Sequence, residues 1–313
     1  MRDGRAHLAW PEMIEATELT KRYGAKTAVD GLSFAVRPGV VTGFLGPNGA
    51  GKSTTMRMIV GLDAPTSGDV TIDGSRYRDL PAPLHRVGAL LEARSIHPGR
   101  SAANHLLALA QTHGISRARV DEVIELVGLQ QVARKRAGTF SLGMGQRLGI
   151  ASALLGDPDT LVLDEPVNGL DPEGIHWIRT LLRRLAAEGR TILVSSHLMS
   201  EMALTADHLI VVGRGRVLAD CTTAEFIAQA SPAVVRVRSP HASHLRELLL
   251  AEGVTIGSDE PGVLEVAGLT TDAIGERAAA EGLTLHELST RQASLEDAFM
   301  ELTRDAVEYE AAA

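Results

Sequence analysis

Two runs in this chain hold residue types suited to phosphate chemistry. The first is Gly46-Pro47-Asn48-Gly49-Ala50-Gly51-Lys52-Ser53-Thr54, which fits the spacing G-x-x-x-x-G-K-[ST] with Gly46, Gly51, Lys52 and Ser53 in the fixed places. Glycines there let backbone N–H groups close around an anion in conformations a Cβ would obstruct. Lys52 brings a cation to the β- and γ-phosphates, and the Ser53 hydroxyl can ligate Mg²⁺. A glycine-rich turn with a chance lysine is the plain alternative. The chain has only four lysines, Lys21, Lys26, Lys52 and Lys135, which argues against a chance placement. The whole run, Gly46 to Thr54, is assigned to binding a nucleoside triphosphate, expected to be ATP.

The second run is Thr160-Leu161-Val162-Leu163-Asp164-Glu165-Pro166, an apolar strand pattern ending in two acids. A buried strand of this kind delivers carboxylates to the C-terminal edge of a sheet, where ligands of open α/β sheets gather. Asp164 is then the Mg²⁺ partner, and Glu165 the group that orients and polarises an attacking water. A strand closing in a solvated acidic turn would explain the acids alone, but not acids downstream of a phosphate loop.

These residues need a frame that brings them together. Val40–Leu45 reads as a buried strand entering the loop, and Ser53–Val60 as a helix leaving it. From Ile14 to about Asp220, β-rich runs alternate with helical ones, which predicts an α/β domain with a largely parallel sheet. Ser101–Gly156 interrupts it with helical periodicity in Asn104–Thr112, Val120–Val127 and Gln146–Leu155, a helical insertion. Thr222–Ala230 reads as a further helix, and Ser231-Pro232 breaks the pattern.

Beyond the break the expected order is Ala233–Arg238 (strand), His244–Ala251 (helix), Val254–Ile256 and Val263–Val266 (strands), Thr271–Ala280 (helix), Leu283–Leu288 (strand) and Ser294–Thr303 (helix). The β-α-β-β-α-β order is that of a small ferredoxin-like α+β domain with an added helix. The expected organisation is a leader at 1–12, disordered or upstream of a start at Met13, then a nucleotide-binding domain at 13–230. Its helical subdomain lies at about 93–157, followed by an accessory α+β domain at 231–304 and a tail at 305–313.

Composition narrows the partners. The 313 residues are 44% hydrophobic but only 3% aromatic, so the core must be aliphatic. A net charge of −8 without a Lys/Arg block argues against nucleic acid as the main partner. The single cysteine, Cys221, excludes an internal disulfide framework and is expected to be a small buried or half-buried residue in a reducing compartment. No apolar stretch reaches bilayer length, and the first residues lack the apolar segment of a signal peptide. Any membrane span must come from another chain. The histidines show no metal-ligand spacing, and His97 is given no chemistry.

With these pieces in place, the chain resembles the ATP-binding cassette ATPases over roughly residues 14–220. Phe140-Ser141-Leu142-Gly143-Met144-Gly145-Gln146-Arg147 is similar to that family's signature L-S-G-G-Q. Asn168-Gly169-Leu170-Asp171 resembles its D-loop, Ser195-Ser196-His197 ends where the switch histidine belongs, and Tyr23 matches the aromatic that stacks on adenine. The resemblance implies that Ser141 and Gly143 face the γ-phosphate held by the opposite subunit, at a helix N-terminus. It places Asp171 at the nucleotide and His197 on the γ-phosphate beside Glu165 and Lys52.

Two departures stand out. Leu142 and Met144 replace a glycine and a glutamine of the signature, and Glu92 stands where the family's Q-loop glutamine is expected to approach Mg²⁺. Arg94 is a candidate to offset the added charge, and the same change in the bacitracin-type and antibiotic-resistance-type exporter ATPases points to that subfamily. The resemblance thus implies an exporter ATPase acting as a homodimer with a separate integral-membrane permease, peripheral to the cytoplasmic face of the membrane. His97–Ser101 would lie where the cassette meets that permease. The alternatives are a soluble cassette ATPase acting on DNA or ribosomes, and a non-catalytic module that uses nucleotide only as a clamp. The intact Lys52, Asp164, Glu165 and His197 speak against the second.

Overall fold

The computed structural model describes residues 13–92, 96–230, 234–258, 260–291 and 294–303. The leader at 1–12, Arg94, the Ser231-Pro232 break and the tail at 305–313 lie outside the described residues. The chain divides into two compact units, the first running to Thr223 and the second spanning Ala224–Leu302.

In the first unit the order is β1 (Ile14–Tyr23), β2 (Lys26–Val36), β3 (Val41–Leu45), α1 (Lys52–Ile59), β4 (Ser67–Ile72), β5 (Val87–Leu90), α2 (Ala102–Thr112), α3 (Arg117–Leu126) and α4 (Leu142–Leu154). Then come β6 (Thr160–Leu163), α5 (Pro172–Ala187), β7 (Thr191–Ser195), α6 (Met199–Thr205), β8 (His208–Gly213) and β9 (Arg216–Thr222). A six-stranded sheet runs β5-β6-β7-β3-β8-β9. All its pairs are parallel except β8 with β9. Every residue of β3, β6 and β7 is buried, as expected of strands covered on both faces. Their C-terminal ends therefore share one edge, and β3, β6 and β7 lead directly into Gly46, Asp164 and Ser196.

The expectation of a largely parallel sheet holds for this sheet but omits a second one. β2, β1 and β4 form a separate three-stranded antiparallel sheet. Its strands mix buried and exposed residues, unlike the uniformly buried β3, β6 and β7, and a tight turn at Gly24-Ala25 joins β1 to β2. Both sheets contribute to one apolar cluster, in which aliphatic side chains surround the tilted pair Phe34 and Phe44, 5.5 Å apart. Cys221, on β9, is half-buried.

The insertion is helical as expected. Ser101, Ser116 and Ser141 cap α2, α3 and α4, each accepting from the backbone N–H three residues on. α5 starts with Pro172 behind its cap Asp171 and turns a strongly amphipathic face to the sheet through Ile178, Leu181, Leu182 and Leu185.

The second unit holds α7 (Thr223–Ala230) less its first residue, then β10 (Val234–Arg238), α8 (Ala242–Leu249), β11 (Thr255–Gly257), β12 (Val263–Ala267), α9 (Thr271–Ala280), β13 (Glu287–Arg291) and, less its last residue, α10 (Leu295–Thr303). The antiparallel order β11-β12-β10-β13 is the ferredoxin-like arrangement of a split β-α-β-β-α-β unit. One expected element moves. The last strand begins at Glu287, not Leu283, because the ladder starts where Arg238 meets Glu287. Leu283 and Leu285 instead pack against the unit's core ahead of the strand.

Candidate active site

The phosphate loop wraps the N-terminus of α1. Gly51 caps that helix at φ 101°, and a Cβ there would sit 2.5 Å from the carbonyl oxygen of Ala28. No other residue type fits. Lys52 turns back into the loop, its Nζ donating to the carbonyls of Gly46 (2.6 Å) and Pro47 (3.2 Å). Burial pushes its amine below the usual lysine value, and the charges of Glu165 and Asp164 offset this only in part. An amine held this way is ready for an anion to replace the carbonyls.

Asp164 and Glu165 leave β6 in different directions. Asp164 accepts from the Ser53 hydroxyl at 2.6 Å and, on its other oxygen, from the Ser195 hydroxyl. Glu165 sits in the left-handed region at φ 50°, a conformation that costs a non-glycine residue about 1–2 kcal/mol. Its N–H donates to Ser195 Oγ at 3.0 Å. One carboxylate oxygen, Oε2, accepts from the His197 N–H at 3.2 Å and from the ring Nδ1 at 2.7 Å. The structure thus brings together Lys52, Ser53, Asp164, Glu165 and His197 at the edge where β3, β6 and β7 end. Ser195 was not among the expected site residues. A hydroxyl closing the apolar run Thr191–Val194 was its only signal.

The signature residues stand at the start of α4. Ser141 is exposed and caps the helix through Met144 N–H at 3.2 Å. Leu142, replacing the first glycine, is 53% exposed. It lies against Gly169, whose φ of 75° and lack of a Cβ allow that approach. Gly143 also packs closely on the Gly169 carbonyl, whose oxygen would lie 2.8 Å from a Cβ there. Asp171, expected at the nucleotide, caps α5 by accepting from Gly174 N–H at 2.9 Å, a duty the sequence reading did not assign. Gln146 was also missed. It is buried, and its amide donates to the Glu165 carbonyl at 3.1 Å.

Tyr23 ends β1 half-exposed. Lys21 lies over its ring at 5.1 Å and its hydroxyl donates to Asp63 at 3.0 Å. Partial burial and then that bond raise its pKa, while Thr54 of the phosphate loop lowers it. Glu92 is exposed at the lip of a groove of about 460 Å³ lined by Leu90, Leu91, Ile96, His105 and Leu109, and its charge reaches Arg57. Among the described residues no cluster of three or more carboxylate, histidine or cysteine side chains could hold a metal. The paired Ser53 hydroxyl and Asp164 carboxylate are instead the donor set Mg²⁺ uses with a bound polyphosphate: few protein oxygens, the remainder from phosphate and water. These residues fit the ion.

Comparison with known proteins agrees with this geometry. Residues 29–168 match the ABC transporter family, and residues 233–296 match a domain of unknown function (DUF8746). The chain is 46% identical over 209 residues to the bacitracin transport ATP-binding protein BcrA of Bacillus licheniformis, covering 66% of this chain and 68% of that one. It is 36% identical over 304 residues to the Nod factor export ATP-binding protein I of Burkholderia lata, covering 93% and 96%. The chain belongs to the ATP-binding cassette family. As an ABC transporter ATPase it binds and hydrolyses ATP. The dimeric structure of a bacterial ABC transporter cassette superposes on it with a TM-score of 0.63 at 25% identity, covering 67% of this chain and 99% of that one. No helix among the described residues is long and apolar enough to cross a membrane.

Proposed function

We propose that this ABC ATPase powers export, of a drug or antibiotic among the candidates, through a separate integral-membrane permease, from the cytoplasmic face of the membrane. Relatives named for bacitracin transport and Nod factor export support the reading. These relatives do not favour the alternative of action on DNA or ribosomes.

Two copies would pair head to tail. The Gly46–Thr54 loop of one copy, with Lys52, holds the triphosphate, and Tyr23 stacks on its adenine. Ser141 and Gly143 of the other copy cap the γ-phosphate from across the interface, with Asp171 nearby. Ser53 and Asp164 would hold Mg²⁺, with Glu92 approaching it, and the ion when bound neutralises charge on the β- and γ-phosphates. Glu165 aligns a water for attack on the γ-phosphorus. As the new P–O bond forms, the bond to the β-phosphate oxygen breaks, ADP leaves, and the water's proton passes to the carboxylate. His197 holds that carboxylate and meets the γ-phosphate. Loss of the γ-phosphate removes the bridge between the copies, and the dimer opens. The second unit, which has no catalytic constellation among its described residues, braces or regulates the pair.

One observation carries this reading. The Glu165 carboxylate is held by both nitrogens that His197 offers it, on the same sheet edge as Lys52 and Ser53. Turnover measured in membranes holding a candidate permease, against turnover with DNA or ribosomes, tests the transport role. Stimulation by the membranes and co-purification with the permease are expected. Stimulation by DNA or ribosomes alone would overturn it.

A further inference from the structure

Glu165 is held by more than His197. A non-glycine residue keeps a left-handed backbone only where its surroundings over-determine it, and here each backbone polar group is engaged. The N–H donates to Ser195 Oγ. The carbonyl oxygen accepts twice, from Asn168 N–H at 3.2 Å within its own turn and from Gln146 Nε2 at 3.1 Å. The second bond alone comes from the signature helix.

That helix is firmly seated. Gln146 is 2% exposed, and the next residue, Arg147, stacks its guanidinium on Trp177 of α5 at 4.7 Å while donating to the Val127 carbonyl at 3.0 Å. One turn earlier, Leu142 lies on Gly169. The segment from Glu165 to Gly169 is therefore gripped at both ends by α4.

We propose that Gln146 is a positioning residue for ATP hydrolysis, its amide fixing the Glu165 backbone so that the carboxylate points at the water. The inference rests on the role proposed above for Glu165. A side chain there that only filled space would be replaceable by leucine. An amide chosen for its donor would not, because the Glu165 carbonyl would lose a buried partner.

Three variants decide the matter: Gln146→Leu, Gln146→Glu and Gln146→Leu combined with Glu165→Gln. Gln146→Leu should lower kcat about tenfold, with KM and nucleotide affinity changed less than about twofold. Gln146→Glu loses the donor when ionised and regains an O–H donor when protonated. Its kcat relative to the parent should therefore climb as pH falls. In the Glu165→Gln background, Gln146→Leu should lower the residual rate no further, since both changes act on one group. A Gln146→Leu protein at the parent rate, a pH-independent Gln146→Glu ratio, or additive losses would each overturn the proposal. If Glu165→Gln itself hydrolyses ATP at the parent rate, the role of Glu165 fails. If Glu165→Gln is silent while the Gln146 variants are unimpaired, only the present inference fails.

Discussion

The two large sheets of this protein dispose of their charged side chains in opposite ways. In the parallel sheet of the first unit, neighbouring strands end at the same edge, so Gly46, Asp164 and Ser196 arrive side by side although they are far apart in sequence. Their polar groups converge on one place and leave Lys52 and the Glu165 carboxylate directed at it. In the antiparallel sheet of the second unit no such edge exists. Its charges pair with one another, Arg236 with Glu287 on β13 and with Glu260 in the turn before β12, and Arg291 with Glu265. One topology concentrates charge and the other cancels it, which supports placing the proposed chemistry in the first.

The strongest way to break this contrast is at Glu165. Glu165→Gln keeps the side chain's shape and removes the base. The rate should fall by about 10²–10⁴-fold, with ATP still bound and the paired form trapped. Hydrolysis at the parent rate, measured by phosphate release, would mean that the converging edge is not the reacting centre. Next in size is Ser141→Ala. A hydroxyl facing an anion is worth about 1.5–3 kcal/mol, so turnover should drop about tenfold or more. The same change removes a helix cap worth about 1 kcal/mol. Mixing this variant with a Lys52→Ala partner separates the two effects, because head-to-tail pairing leaves one intact composite site in the mixed dimer. No recovery of turnover on mixing would refute pairing across the interface.

Much of this was legible beforehand because the parallel strands are short, mostly apolar and followed directly by the site residues. The phosphate loop, Asp164 and Glu165 sit directly at strand ends, where pattern and chemistry coincide. What escaped were contacts made across the fold. Nothing around Gln146 announces that its amide reaches a carbonyl nineteen positions on. Asp171 looks the same in sequence whether it caps α5 or touches a nucleotide. The separate antiparallel sheet was hidden for a related reason: strand runs reveal their alternation but not which sheet they join. In the second unit the leucines near 283–288 drew the last strand too early, since apolar residues mark burial while cross-strand pairing sets the ladder.

Lys52 offers a subtler test of the converging edge. Burial holds its folded pKa below the ordinary 10.5. Between the folded and unfolded values the unfolded chain binds more protons, so the stability of the nucleotide-free protein should rise with pH through that window. Affinity for ATP should move the other way, because the phosphates require the charged amine, and it should begin to fall below pH 10.5. Melting curves and nucleotide titrations across alkaline pH would show the opposed slopes. Parallel slopes, or an affinity that Lys52→Ala leaves equally pH-dependent, would remove Lys52 as their source.

The smallest effect is expected where charge cancels. Arg236 is largely covered, yet its partners Glu260 and Glu287 remain partly solvated. Arg236→Ala should therefore cost the second unit no more than about 1 kcal/mol. ATP binding should be unchanged, and the hydrolysis rate of the detergent-free, permease-free protein should stay within about twofold, the range left to a residue outside the catalytic edge. A large loss of turnover with an unaltered melting temperature would reveal that Arg236 acts on the reaction. In that case the contrast between the two sheets would concern where charge is displayed, not where function lies.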